Sequence, residues 1–107
     1  MSDNVQPLVF LAGINRFGVD DGDWDLTAPG PDTDRRGFRA RVAFEQAFRT
    51  VPVVHLGLVG FDISNEDSAR LKVIPENINP SGFDVVVETW LNSRIWSIEV
   101  SWLAVGT

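Results

Sequence analysis

Apolar and polar residues alternate with a period of two along most of this chain. That pattern leaves little room for anything but strands. Phe38, Ala40, Val42 and Phe44 face one way, and Arg39 and Arg41 face the other, as in a strand with one buried side. Leu8 to Ala12 reads as a first strand, closed by Gly13. Pro52 opens another, Val53 to Phe61, whose near-continuous apolar character implies burial on both faces. Arg70 to Ile74 is a short strand. Gly82 to Trp90 and Ile95 to Ala104 form a hairpin across Leu91-Asn92-Ser93-Arg94. In its second arm Trp96, Ile98, Val100, Trp102 and Ala104 share one face, with Ser97, Glu99 and Ser101 on the other. The stretches Asn15 to Gly37, Ile63 to Ser68 and Asn77 to Gly82 read as loops and turns. Glu45 to Arg49 has room for a single helical turn. Six short strands and no convincing helix predict an all-β, six-stranded antiparallel β-sandwich, with residues 1–107 as one domain.

The side-chain inventory excludes several kinds of chemistry. The chain has no Cys, hence no disulfide and no thiolate metal site, which fits a reducing compartment without excluding secretion. A net charge of −6 argues against nucleic acid or an anionic membrane surface as partner. No apolar run approaches the ~20 residues of a bilayer span, so no membrane insertion is expected. Met1 to Val5 is too polar for a signal peptide, leaving a cytoplasmic protein or one exported without a visible signal. One His, no Gly-x-Ser-x-Gly and no phosphate loop leave no nucleophile constellation, so neither catalysis nor a cofactor is expected. His55 reads as a core or interface residue. Asp21-Gly22-Asp23-Trp24-Asp25 spaces carboxylates as calcium loops do. It lacks the glycine and glutamate of an EF-hand, so a solvated acidic loop is the simpler reading and a calcium-stabilised module the alternative.

Three of the four Trp residues lie in the hairpin. A Trp beside a loop tip is a flat apolar plate, and the apolar face of a sugar stacks on such plates. The order of features here is distinctive: Phe44, Pro52-Val53-Val54, Phe61-Asp62-Ile63, Arg70, Asn77-Ile78-Asn79-Pro80-Ser81-Gly82-Phe83, Thr89-Trp90 and Val100-Ser101-Trp102-Leu103-Ala104. Together these resemble the H-type lectin domain, from about Pro29 to Gly106 and most closely from Phe44 onward.

The resemblance implies a six-stranded sandwich assembling as a homotrimer or homohexamer. It implies shallow sites between protomers for galactose or N-acetylgalactosamine glycans, and a role in recognition and adhesion. It matches the family's stacking Trp to Trp90, its strand Arg to Arg70 and its aromatic residue past the turn to Trp96. Pro29-Gly30-Pro31-Asp32 resembles the element that supplies a backbone contact at Gly30 and a carboxylate at Asp32, with Asp34 a competing match. Leu91 stands where well-known members have His, so an acetamido group finds no hydrogen-bonding side chain at that position. The missing Cys removes the disulfide that joins trimers in one member.

Each of these residues also has a plainer role. Trp90 is either a stacking plate or a packed Trp under the hairpin or at an interface between protomers. Trp96 shares parity with Ile98 and Trp102 and reads as core, with an edge that lines the site. Arg70 is a solvated cation or a fixed fork of donors to hydroxyls. Asp32 is a turn residue or an acceptor of paired hydroxyl hydrogen bonds. A trimerisation or adhesion module without sugar binding, using Trp90 and Arg70 as interface residues, is the rival reading.

Overall fold

The computed structural model describes residues 6–28, 35–64 and 68–107. It contains β1 (Val9–Gly18), β2 (Arg35–Ala43), β3 (Val53–Ile63), β4 (Lys72–Asn79), β5 (Gly82–Trp90) and β6 (Ile95–Gly106). They form two three-stranded antiparallel sheets, ordered β1-β6-β3 and β2-β5-β4. The predicted all-β sandwich is therefore the observed fold. Its core lies between the sheets, where Phe38 and Val42 of β2 and Phe83, Val85 and Val87 of β5 meet Ile98, Val100 and Ala104 of β6. Phe44, Phe83 and Trp102 pack ring against ring at one end, with centroids 5.4–5.8 Å apart.

The two outer faces differ in chemistry. On β2-β5-β4, Asp84 receives hydrogen bonds from Arg39 (2.8 Å), Arg41 (3.1 Å) and Asn77 (2.8 Å), and Arg39 also pairs with Glu76 at 2.5 Å. On β1-β6-β3 several outward residues are large and apolar: Phe10 is 62% exposed, Val53 74% and Leu103 41%. Strand β3 has the apolar character read from its sequence, but in the single chain its outward face meets solvent. His55 stands on that face, paired in register with Leu103, and is exposed rather than in the core.

Several boundaries differ from the sequence reading, each for a tertiary reason. Strand β1 continues through Gly13 to Gly18. Gly13 sits against the Trp102 indole so closely that a Cβ there would lie 2.7 Å from its Nε1. That nitrogen donates to Asn15 Oδ1 (3.0 Å), so Asn15 and Gly13 serve the strand rather than end it. Residues 45–49 form bends instead of a helical turn, because Phe44 N donates to Ser81 O and Phe48 N to Pro80 O, both at 2.9 Å. Strand β4 runs on to Asn79 through an irregularity at Asn77, whose φ is 48°. On β3 the pairing skips Val59.

Candidate functional site

Trp90 is the last residue of β5, and the strand's alternation sets it on the outer face with Glu88 and Val86. It is half-buried. Register pairs it with Arg35, whose guanidinium carbon lies 5.6 Å from the indole centroid. That is cation–π range. Sequence reasoning misses Arg35 because it reads residues up to Gly37 as loop, whereas β2 already begins at Arg35 and its pairing with β5 sets Arg35 against Trp90.

Arg70, read from the sequence as the first strand residue, lies ahead of β4, which begins only at Lys72, on the other side of β5 from Arg35. Its carbonyl accepts from Thr89 Oγ1 at 2.5 Å, and its amide donates to Ser93 Oγ at 3.0 Å. The structure thus brings the Arg70 backbone to the end of β5 and the turn that follows Trp90. Arg70 is half-buried. Ser93, 2% exposed, also donates its hydroxyl to Ser68 O, so the turn is tied to the approach to β4. Leu91 opens this turn with φ 58°, a left-handed conformation uncommon for a residue of its bulk.

Trp96 departs from its predicted parity. The β3–β6 ladder pairs Asp62 with Ser97 and Ile63 with Ile95, so Trp96 is an extra residue on β6. The bulge turns Ile95 fully inward and leaves Trp96 41% exposed. It is not core. Gly30, Asp32 and the competing Asp34 lie outside the described residues.

The segment leading toward Gly30 is anchored more firmly than an acidic loop suggests. Trp24 stacks obliquely on Phe38 (5.1 Å) and donates its indole N–H to Ile95 O (2.9 Å). Leu26 is fully buried, and its carbonyl accepts from Ile95 N at 2.9 Å. Asp21 accepts from Gly18 N at 2.8 Å, which makes it a turn residue. Among the described residues no three acidic or His side chains converge as metal ligands would, so the calcium alternative gains no donor set there. No helix among the described residues is long and apolar enough to cross a membrane.

Arg36 is a further residue that sequence reasoning misses, although its signal is present: it shares parity with Phe38, Ala40 and Val42. It points inward and is 7% exposed. Its Nη1 donates to Leu26 O (3.3 Å) and Ala28 O, and its Nη2 to Leu91 O (2.6 Å) and Ser93 O (2.9 Å).

Trp90 is thus a half-buried outward indole with Arg35 over its ring, and the neighbouring Thr89 holds the Arg70 backbone. The profile of the H-type lectin domain matches residues 39–105. A protein of Fuscovulum blasticum, described as ATP synthase subunits region ORF 7, is 36% identical over 87 residues, covering 81% of this chain and 72% of that protein. One of the discoidin-1 polypeptides of Dictyostelium discoideum is 28% identical over 94 residues, 87% of this chain but 37% of the discoidin. The crystal structure of recombinant discoidin II from the same organism shares the fold with a TM-score of 0.78 at 24% identity, over 98% of this chain and 39% of that one. The chain thus spans well under half of either discoidin. It belongs to the H-type lectin domain family, a class of carbohydrate-binding lectin domains.

Proposed function

We propose that this chain is a single, non-enzymatic lectin domain that binds galactose-type glycans at a shallow site around Trp90. The observation that carries the reading is the placement of Trp90: outward, half-buried and under Arg35, in a family of sugar-binding domains. An apolar sugar face stacks on the indole side opposite Arg35. Arg70 donates to ring hydroxyls, with Asp32 and the Gly30 backbone completing the polar contacts from the loop after Ala28. The exposed Trp96 edge and Leu91 border the site. Leu91 offers no hydrogen bond to an acetamido group, so the domain discriminates little between galactose and N-acetylgalactosamine.

Shallow sites bind weakly, and several copies facing one way supply avidity. The apolar outer face of β1-β6-β3, with Phe10, Val53 and Leu103 exposed, supports a trimer or hexamer built through that face. In such an assembly, sites between protomers serve recognition and adhesion to glycoconjugates. The test is a glycan array on the purified protein, followed by calorimetric titration with galactose and N-acetylgalactosamine. An array without hits from a well-folded oligomer would favour the adhesion-module reading instead.

A further inference from the structure

We propose that Arg36 is a positioning residue of this binding site: one buried guanidinium fixes the turn after Trp90 relative to the segment 26–28. The inference rests on the sugar-binding reading for its functional half and on geometry alone for the other half.

The division of labour within the side chain is the central observation. Each η nitrogen carries two hydrogens. Nη1 spends both on carbonyls of one loop, Leu26 and Ala28, and Nη2 spends both on the hairpin turn, Leu91 and Ser93. The first loop leads directly into Pro29-Gly30-Pro31-Asp32, and the second joins Trp90 to Trp96. Ser93 extends the tie through its hydroxyl to Ser68 and the Arg70 amide. Arg36 thus ties the 26–28 segment directly to the turn after Trp90 and, through Ser93, to the Arg70 backbone.

The chemistry is costly for a merely space-filling role. Burying a cation carries a desolvation penalty that an apolar side chain of equal volume avoids. Among the described residues Arg36 has no carboxylate partner, and its Nε has no partner either. What the guanidinium supplies, and an apolar side chain does not, is a rigid planar fork that fixes carbonyls of two segments at once. One of those carbonyls belongs to Leu91, which holds its left-handed conformation because its surroundings over-determine it. A Lys ammonium offers three donors from one point and cannot span both loops.

The experiment compares wild type with Arg36→Lys, well below the melting temperature of each. Galactose affinity is read by titration, and loop order by hydrogen exchange. The expected result is an affinity loss of at least tenfold in folded Arg36→Lys. Amide exchange should accelerate at residues 26–28 and 91–94, with protection kept at Val85 and Val87. A residue that only stabilises the fold would lower the melting temperature and leave the affinity of the folded protein within twofold. That outcome overturns the proposal, as does faster exchange spread evenly over both sheets. If wild type binds no galactose, the sugar reading falls, and the loop-holding half is decided by the exchange pattern alone. Should Arg36→Lys not fold, 15N spectra of wild type serve instead. Separate, slowly exchanging Nη signals of Arg36 that shift on galactose addition support the proposal, and a single averaged signal unmoved by galactose overturns it.

Discussion

Replacing Trp90 by Ala separates a stacking plate from a packing residue, because the two roles predict different losses. A Trp buries roughly 150–250 Å² when fully covered, so covering about half of it at about 25 cal/mol per Å² contributes roughly 2–3 kcal/mol to folding. The cation–π contact with Arg35 adds about 0.5–1 kcal/mol at an exposed site. A folded domain with the usual stability of about 5–15 kcal/mol survives such a loss at room temperature. Binding responds separately. Loss of the stacking contact costs roughly 0.5–3 kcal/mol, a rise in dissociation constant of about 2-fold to 150-fold. Trp90→Phe retains a smaller plate and should fall between Ala and wild type. Titration with monovalent galactose keeps avidity out of the measurement, and circular dichroism with a thermal melt on the same samples reports the fold. Undiminished affinity in folded Trp90→Ala would refute the stacking argument. Lost affinity accompanied by a collapsed melt would return Trp90 to a packing role.

Three further outcomes follow from the rest of the molecule. Gly13→Ala drives a methyl into the Trp102 indole, and such overpacking costs about 1–3 kcal/mol, seen as a lower melting temperature with sugar affinity unchanged. Asp84 is held at a pKa of about 2, first by the Asn77 side-chain amide and then by Arg39 and Arg41. Its stabilising effect is therefore complete above the unfolded carboxylate value near 4, and it is lost as pH falls from there through about 2. Asp84→Asn should lower stability at pH 7 and flatten the acid limb between pH 4 and 2; equal slopes in that window would contradict this. Light scattering coupled to size exclusion should report a trimer or a multiple of three for wild type. Val53→Glu, which sets a charge on the apolar outer face, should run as a folded monomer; a monomeric wild type would remove that face as an assembly surface.

The hairpin is legible because two independent signals coincide there. Alternation sets the faces of Gly82–Trp90, and the polar turn sets its end, so the strand bounds agree with the sequence reading. Where a single residue serves a distant partner, local pattern misleads. Gly13 and Asn15 look like strand breakers until Trp102, which requires both, is known. Leu26 and Trp24 sit among aspartates with no periodicity to reveal that they are anchored. Trp96 keeps its apparent parity in the sequence, but an inserted bulge residue reverses which neighbour turns inward. Within the site, Trp90's outward direction follows from alternation, whereas the role proposed for Arg70 comes only from resemblance. Arg36 is readable in principle, as a cation on the apolar parity of β2, but its charge argues for the surface as strongly as its position argues for the core.

The irregularities of β3 and β4 have a consequence for how the protein survives at high concentration. Among the described residues each sheet ends in two border strands, and an unpaired border offers main-chain groups to any strand that drifts past. On β3 the extra Val59 breaks the regular spacing of those groups. On β4, Pro75 has no N–H to offer, and the irregularity at Asn77 interrupts the ladder two residues later. A neighbouring chain therefore finds no long flat template along these two borders. The same features that blur the strand limits in the sequence make these two borders poor templates for edge-to-edge pairing.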